Sequence, residues 1–300
     1  MSTRHILVVA HTGREDALSA GVKVCTQLKS AGVRVVVAPT QHEDFVAAGV
    51  DDAVVLGADV SLADIELTIV LGGDGTILQA AEWTRGSDAP LLGINHGHVG
   101  FLAESERDDL AWTVSQVLSG DYDVDERLVL DVQVLEGGTE TFRTFAINEA
   151  TVEKASRARM IEIGLEVDGR PLSTFGADGV VIATPTGSTA YSFSAGGPVV
   201  WPDVAALLMV PLSAHALFSR PIVVGPTSVL AVELLERSVA PAVLWCDGRR
   251  GVELAPGARV VVTASPESIR LARLHPGPFT DRLVNKFSLP VTGWRGPVES

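Results

Sequence analysis

The segment Leu71-Gly72-Gly73-Asp74-Gly75-Thr76 combines three glycines with one carboxylate between two regular patterns. The apolar run before it predicts a strand and the spacing after it predicts a helix, so it is expected at the carboxyl edge of a parallel sheet. Glycines let the backbone approach a phosphate chain closely, and the amides at a helix N-terminus favour anions. The sequence therefore predicts a phosphate-binding loop.

Asp74 is the candidate catalytic residue of this loop. A carboxylate there repels phosphate unless it binds Mg²⁺ or accepts a proton from an attacking hydroxyl group, a role typically worth about 10²- to 10⁴-fold in rate. The alternative is that Asp74 only caps the following helix, since Asp is a favoured N-cap residue. Neither a Walker-type loop nor a G-x-G-x-x-G fingerprint occurs in the chain, which argues against the commoner nucleotide-binding folds.

The elements that must position this loop change in character along the chain. In residues 1–120 short apolar strands alternate with helices, which predicts a mostly parallel sheet covered on both faces. In residues 121–275 alternating strands and the turn pairs Gly137-Gly138, Asp168-Gly169 and Asp247-Gly248 predict a β-rich second domain. Residues 276–300 form a tail with a short helical stretch, expected to dock on another part of the protein.

Composition limits the possible partners. Hydrophobic residues make up 46% of the 300-residue chain and the net charge is -14, so we expect a globular protein that binds neither nucleic acid nor an anionic membrane. Only Cys25 and Cys246 are present, no run reaches the ~20 apolar residues of a membrane span, and no secretion signal is evident at the start. We expect a cytoplasmic protein with reduced thiols.

Several motifs resemble those of one protein family, both in their residues and in their order along the chain. After the GGDGT loop, which NAD kinases share with lipid kinases and, more remotely, phosphofructokinases, come Gly93-Ile94-Asn95 with Gly100-Phe101-Leu102, then Asn148-Glu149 and Asp178-Gly179. The stretch TPTGSTAYSFSAGGP follows at residues 184–198 and is highly specific. Together these motifs resemble the NAD kinase family over nearly the whole chain. Their sequences are most similar to those of actinobacterial members.

The resemblance implies a fold and a reaction. It implies an N-terminal Rossmann-like α/β domain (1–120), a distorted β-sandwich that binds NAD (121–275), and a tail (276–300) that returns to the first domain. The implied reaction transfers the γ-phosphoryl of ATP, or a phosphoryl of polyphosphate, to the 2′-hydroxyl of the adenosine ribose of NAD, giving NADP. Mg²⁺ or another divalent cation would be bound mainly through the phosphate donor, and the protein would form homodimers or homotetramers.

The resemblance also assigns roles to residues. Asp74 would be the general base, and the loop glycines would leave room for the donor phosphates. The other expected binding residues are Gly72, Gly73, Gly75, Asn95, Asn148, Glu149, Arg159, Asp178, Thr186, Gly187, Ser188, Thr189, Ala190, Tyr191, Ser194 and Arg249. No protein metal ligand is expected.

Each of these assignments has a simpler alternative. Asn148-Glu149 alone could be ordinary turn residues after a strand, and the hydroxyls of residues 186–194 could only cap a helix. Arg159 and Arg249 could be solvated surface charges. Gln79 stands where many relatives carry Arg or Lys, which puts donor affinity in question. His96 and His98 suit a loop contact better than a metal site, which needs a third ligand.

Two other functions fit part of the pattern. A lipid kinase would share GGDGT, but it should expose a basic or apolar membrane-binding surface that this acidic sequence does not offer. A non-catalytic dinucleotide sensor would keep the pocket and lose the loop carboxylate, which is present here. The phosphate donor, the choice between NAD and NADH, feedback by NADP(H) and the oligomeric state stay open.

Overall fold

The structure is a computed structural model that describes residues 4–95, 100–103, 110–157, 159–274 and 277–291. The chain divides into two compact units, Met1–Glu126 with Ile269–Ser300 and Arg127–Ser268. The helices are α1 (Glu15–Ser30), α2 (His42–Ala47), α3 (Asp74–Trp83), α4 (Leu110–Ser119), α5 (Tyr191–Ser194) and α6 (Phe279–Phe287).

The first unit is built on a seven-stranded sheet. Its strands are β1 (His5–Ala10), β2 (Arg34–Val37), β3 (Val54–Val55), β4 (Leu67–Leu71), β5 (Leu91–Ile94), β6 (Asp123–Arg127) and β19 (Ile269–Arg273). They lie in the order β3-β2-β1-β4-β5-β19-β6, and the pairs from β3 to β19 are parallel. The central strands β1 and β4 are almost wholly buried, as expected of a sheet covered on both faces.

The helices of this unit follow from the apolar spacing of the sequence. Helix α1 turns Val24, Cys25 and Leu28 into the core, where they pack with residues of β1 and α4. It ends where the Val33 N–H donates to the carbonyl of Leu28 around Gly32, whose φ of 77° favours glycine. Gly32 therefore follows the C-cap residue Ala31 and ends the helix.

The second unit contains two six-stranded antiparallel sheets. One has the order β11-β10-β15-β18-β7-β8 and the other the order β14-β13-β12-β9-β16-β17. Their strands are β7 (Leu130–Glu136), β8 (Thr139–Ala146), β9 (Glu149–Lys154), β10 (Ile161–Val167), β11 (Arg170–Ala177), β12 (Gly179–Ala183), β13 (Leu207–Leu212), β14 (Ile222–Val224), β15 (Leu230–Leu234), β16 (Ala242–Cys246), β17 (Arg250–Leu254) and β18 (Arg259–Ala264). One core cluster joins side chains of both sheets, including Val132 and Val260 from one and Val152 and Leu244 from the other.

The predicted fold class, a parallel-sheet α/β unit with a β-sandwich-like unit, is confirmed. The three predicted turn pairs each join antiparallel neighbours, and all six of their residues have positive φ. The extents differ from those predicted, because β6 and β19 join the sheet of the first unit rather than the second. An alternating strand pattern does not reveal which sheet a strand joins, since pairing depends on contacts distant in sequence.

Candidate active site

The glycine loop connects β4 to α3, as the sequence predicts. Gly73 is the N-cap residue and Asp74 is the first residue of the helix. Among the described residues, a Cβ atom added at Gly73 or Gly75 would meet no other atom within 4 Å, whereas one at Gly72 would lie 2.4 Å from Oγ1 of Thr76. Gly72 is therefore needed for the packing of the loop itself, while Gly73 and Gly75 leave space between the described residues beside the helix N-terminus.

Asp74 is half-buried and does not act as the N-cap of its helix. Its Oδ2 accepts a hydrogen bond from the backbone N–H of Phe101, and its Oδ1 accepts one from that of Leu102, both at 3.2 Å. A Cβ atom at Gly100 would lie 2.5 Å from Oδ1, so this backbone packs directly on the carboxylate. The capping alternative is wrong, because Gly73 is the N-cap and a different segment holds the carboxylate.

Asn95 lies at the same edge of the sheet as the glycine loop. Strands β4 and β5 are parallel neighbours with Leu71 opposite Ile94, and the Gly72 N–H donates to the Ile94 carbonyl at 2.9 Å. Asn95 follows β5 directly and is buried. The first unit thus gathers its predicted site residues at one edge.

His96 and His98, for which the sequence suggests a loop contact, lie outside the residues that the structure describes. Within the described ranges, no group of three or more His, Cys, Asp or Glu side chains is arranged to hold a metal ion. None of the helices in the described part of the chain is long and apolar enough to cross a membrane.

A pocket of about 400 Å³ opens in the second unit. Carboxylates and aromatic rings dominate its walls, which are formed by Glu149, Thr151, Glu153, Tyr191, Trp245, Asp247 and Gly248. Tyr191 and Trp245 are 39% and 42% exposed, so both rings are accessible from solvent. Acceptor oxygens beside accessible rings suit a heteroaromatic ligand that carries hydroxyl or amino groups.

Glu149 is buried at the first position of β9 and faces this pocket. Burial raises the pKa of its carboxyl group to about 7, and the neighbouring charge of Asp247 acts in the same direction. The backbone N–H of Tyr191 donates to its Oε2 at 3.3 Å and opposes the shift. Glu149 can therefore exchange a proton near neutral pH within the pocket.

Asp247 holds the turn that presents Asn148 and Glu149. Its buried carboxylate accepts hydrogen bonds from the N–H groups of Asn148 at 2.8 Å and Ile147 at 3.0 Å, and from Nη2 of Arg250 at 2.8 Å. Burial raises the pKa of this carboxyl group, while these donors oppose the rise. In the sequence, Asp247 is visible only as part of a turn pair, which does not reveal this role.

Arg250 has a second set of contacts on the same turn. Its Nη1 donates to the Phe145 carbonyl at 2.7 Å and to Oγ1 of Thr144 at 3.0 Å, and the guanidinium lies 3.9 Å from the Phe145 ring centroid. Arg250 therefore ties the end of β8 to the β16–β17 turn. In the sequence, Arg250 stands out only as part of the basic pair Arg249-Arg250, which suggests a phosphate contact rather than this structural role.

The stretch 184–194 separates into a buried base and an accessible end. Gly187 packs on the backbone of Asn148, and the Ser188 hydroxyl is fully buried, donating to the Val200 carbonyl at 3.1 Å. Thr186 is buried as well, and the hydroxyl of the half-buried Thr189 donates to its carbonyl at 3.2 Å. The more accessible residues are Thr189, Ala190, Tyr191 and Ser194. The hydroxyls of Ser188 and Thr189 thus bond to backbone groups, but the capping alternative is wrong for them, because neither short helix of this stretch has a side-chain cap hydrogen bond.

The three remaining predicted residues occupy different surroundings. Asp178 forms an ion pair with Lys154, the last residue of β9, which the sequence analysis did not identify. Arg249 is exposed in the turn between β16 and β17, where its N–H donates to the Cys246 carbonyl at 3.0 Å. Arg159 is exposed in the connection from β9 to β10. Neither arginine is among the residues that line the pocket described above.

Two family models match the chain in succession. The model of the ATP-NAD kinase N-terminal domain matches residues 6–122, and that of the ATP-NAD kinase C-terminal domain matches residues 147–274. The chain belongs to the ATP-NAD kinase family.

This ATP-NAD kinase family member has highly similar curated relatives in actinobacteria, as the residues of its motifs predict. It is 65% identical to the NAD kinase of Leifsonia xyli over 296 residues, covering 98% of this chain and 97% of the relative. It is 55% identical to the NAD kinase of Thermobifida fusca, covering 98% and 92%. The predicted family and enzyme class are confirmed, and the comparisons favour an NAD kinase over a lipid kinase.

Solved structures of the family share the fold. A yeast NADH kinase complexed with NADH matches with a TM-score of 0.85 at 23% identity, covering 97% of this chain and 89% of that one. An NAD kinase from Archaeoglobus fulgidus in complex with ATP matches with a TM-score of 0.69 at 23% identity, covering 95% and 98%.

Proposed function

We propose that this NAD kinase transfers the γ-phosphoryl of ATP to the 2′-hydroxyl of the adenosine ribose of NAD, with Asp74 as general base. The observation that carries the proposal is the Asp74 carboxylate, held on the N–H groups of Phe101 and Leu102 beside a glycine loop with open space. A carboxylate fixed in this way keeps lone pairs available to a substrate hydroxyl. Asn95, at the same edge, is proposed as a further dinucleotide contact.

The chemistry of the step follows from these groups. Asp74 accepts the proton of the 2′-hydroxyl as the ribose oxygen forms its bond to the γ-phosphorus, and the bond from that phosphorus to the bridging oxygen breaks, releasing ADP. The open space at Gly73 and Gly75 admits the donor phosphates, and the N-terminal amides of α3 favour their charge. These phosphates would carry Mg²⁺ with them, and the cation would supply positive charge that stabilises the transferred group.

NAD is proposed to use the pocket of the second unit. The carboxylates of Glu149 and Glu153 can accept hydrogen bonds from ribose hydroxyls and from the adenine amino group, and Tyr191 and Trp245 offer ring faces. Near neutral pH, Glu149 can also donate when it is protonated.

The other predicted binding residues divide by accessibility. The residues proposed to contact NAD directly are Asn148, Asp178, Thr189, Ala190 and Ser194. Asp178 also forms an ion pair with Lys154. The buried residues Thr186, Gly187 and Ser188 are proposed to shape the loop that presents them. Arg159 and Arg249 are proposed as secondary phosphate contacts, because both are exposed and cationic.

The protein is further proposed to be cytoplasmic and to form a homodimer or homotetramer without nucleic-acid or membrane partners. The net charge of -14 supports the last point. The exposed apolar residues Leu217, Phe218 and Val223 support self-association. Sedimentation equilibrium measures the mass of the assembly and distinguishes the two states.

The activity is tested with purified protein, NAD, ATP and Mg²⁺, and the product is quantified with an NADP-specific dehydrogenase. We expect NADP, and parallel reactions with polyphosphate or NADH define the donor and acceptor. A protein that binds NAD but forms no NADP with either donor would contradict the proposal and indicate a sensor.

A further inference from the structure

The backbone that holds Asp74 is itself held from its other side. The N–H groups of Phe101 and Leu102 point to the Asp74 carboxylate. The carbonyl groups of the same short segment accept hydrogen bonds from two arginines. Arg282 Nη1 donates to the carbonyls of Phe101 at 3.3 Å and Ala103 at 3.1 Å, and Arg273 Nη1 donates to that of Leu102 at 3.2 Å.

One peptide group connects Arg282 to Asp74. The carbonyl of Phe101 and the N–H of Leu102 belong to the same planar unit, which accepts from Arg282 at one end and donates to Oδ1 of Asp74 at the other. Hydrogen bonds arranged in series polarise one another, and a cationic donor strengthens the chain. A shift of Arg282 is therefore transmitted to Asp74 through a rigid group.

Arg282 belongs to the tail helix α6, which is docked by aromatic packing. The ring centroid of Phe101 lies 5.9 Å from that of Phe279 and 5.9 Å from that of Phe287, so both ends of α6 contact the same ring. Leu283, beside Arg282, is buried. The helix thus fixes the guanidinium against the segment that carries the two amides.

We propose that Arg282 is a positioning residue for Asp74, acting through the Phe101–Leu102 peptide that it holds in place. The proposal rests on the proposed role of Asp74 as general base. The tail helix then contributes to phosphoryl transfer without touching a substrate. Its effect is expected in kcat, since a base displaced by about 1 Å can lose about 10²-fold in rate.

The test compares Arg282→Met and Arg282→Lys with wild type. Arg270→Met is the matched control, because Arg270 lies in the same unit and its Nη1 also donates to a backbone carbonyl, that of Asp88, at 2.8 Å. The measurements are kcat, KM for NAD and ATP, and melting temperature. Each arginine variant is also combined with Asp74→Asn.

We expect Arg282→Met to lower kcat by about 10- to 100-fold while KM for ATP changes less than about twofold. Arg282→Lys, which keeps a cationic N–H donor group, should restore part of the lost kcat with an unchanged melting temperature, and Arg270→Met should keep the wild-type kcat. In the Asp74→Asn background, Arg282→Met should lower the residual rate by less than about twofold, because both changes act on one group.

Three results would overturn the positioning role. They are an unchanged kcat in Arg282→Met, a loss that the Arg270→Met control shares, and an equal loss with and without the Asp74 carboxylate. If the residual rate of Asp74→Asn is below detection, or if Arg282→Met does not fold, Arg282→Lys is the deciding variant. A lowered kcat with little change in KM for ATP would support the positioning role, and an unchanged kcat would overturn it. Wild-type activity in Asp74→Asn alone would instead contradict the proposed function.

Discussion

Gly187 packs against the backbone of Asn148 so closely that a Cβ atom at position 187 would lie 2.0 Å from the Asn148 carbonyl oxygen. The Gly187 N–H also donates to Oγ1 of Thr184 at 3.0 Å, and that hydroxyl donates to the Ile147 carbonyl at 2.6 Å. The stretch TPTGSTAYSFSAGGP thus packs through Gly187 against the Asn148-Glu149 pair.

Replacing Gly187 with Ala should therefore separate these two segments. Because the opposing atoms are backbone, the added methyl group cannot be accommodated by a side-chain rotation, and we expect a loss of about 1–3 kcal/mol in the free energy of unfolding. KM for NAD should rise as well. Gly225→Ala is the control, since a Cβ there meets no atom within 4 Å in the part of the chain that the structure describes. Equal stability of the two variants in urea denaturation would contradict this account.

Arg250 should matter far more for stability than a surface arginine with a similar ion pair. Arg250→Met leaves the Asp247 carboxylate, whose side chain is 1% exposed, without its cation, and breaking a buried pair typically costs about 3–5 kcal/mol. Arg143→Met removes a pair with Asp131 from an arginine whose side chain is 54% exposed, and solvent screening should make this loss much smaller. Chemical denaturation of both variants measures the difference, and similar losses would refute the proposed role of Arg250.

The raised pKa of Glu149 predicts a pH dependence of stability. A carboxyl group with a folded-state pKa of about 7, against an ordinary value of 4.5, binds its proton more tightly in the folded protein. Its contribution is full below the unfolded pKa and is lost as pH rises through about 7. Glu149→Gln should remove this decline, and its gain over wild type should reach up to about 3 kcal/mol at high pH.

Glu166→Gln provides a comparison of opposite sign. The hydrogen bonds from Arg259 lower the pKa of Glu166, so this group stabilises the fold above its unfolded pKa and loses that contribution as pH falls through the folded pKa. Glu166→Gln should therefore lower stability at neutral pH. Melting temperatures from pH 4 to pH 9 test both signs, and parallel curves for the wild type and Glu149→Gln would exclude the predicted shift.

Trp245 should report on the pocket of the second unit. Trp245→Leu removes a ring face, and a base–aromatic stacking contact is typically worth about 1–3 kcal/mol, so KM for NAD should rise by about tenfold with little change in KM for ATP. Trp201→Leu is the matched control, because Trp201 is 44% exposed in the same unit but does not line that pocket. Equal KM values for NAD in the two variants would place the dinucleotide elsewhere.

The sequence was sufficient for features that depend on local patterns. The apolar run before Gly72, the three glycines and the spacing after Asp74 predict a strand, a loop and a helix start, and the structure confirms all three. The turn pairs likewise carry their own backbone signal, since Asp168 and Asp247 adopt positive φ beside a glycine.

Other parts of the candidate site depend on pairing between distant segments. Trp245 lies beside Thr151 only because β16 pairs with β9 in one register, and Asp247 contacts Asn148 across about a hundred residues of sequence. A shift of one residue in that pairing would send these side chains to the other face. No local pattern fixes the register, so the environments of Trp245, Arg250 and Lys154 could not be predicted.

The most direct test of the central claim compares NADP formation by the wild type and Asp74→Asn under saturating NAD, ATP and Mg²⁺. The amide replaces one of the two acceptor oxygens by an NH₂ donor, which faces the N–H of Phe101 or Leu102, so equal folding must be verified by circular dichroism and melting temperature. With folding matched, we expect kcat to fall by at least about 10²-fold through loss of proton transfer. A folded Asp74→Asn protein with near wild-type kcat would show that Asp74 is not the base.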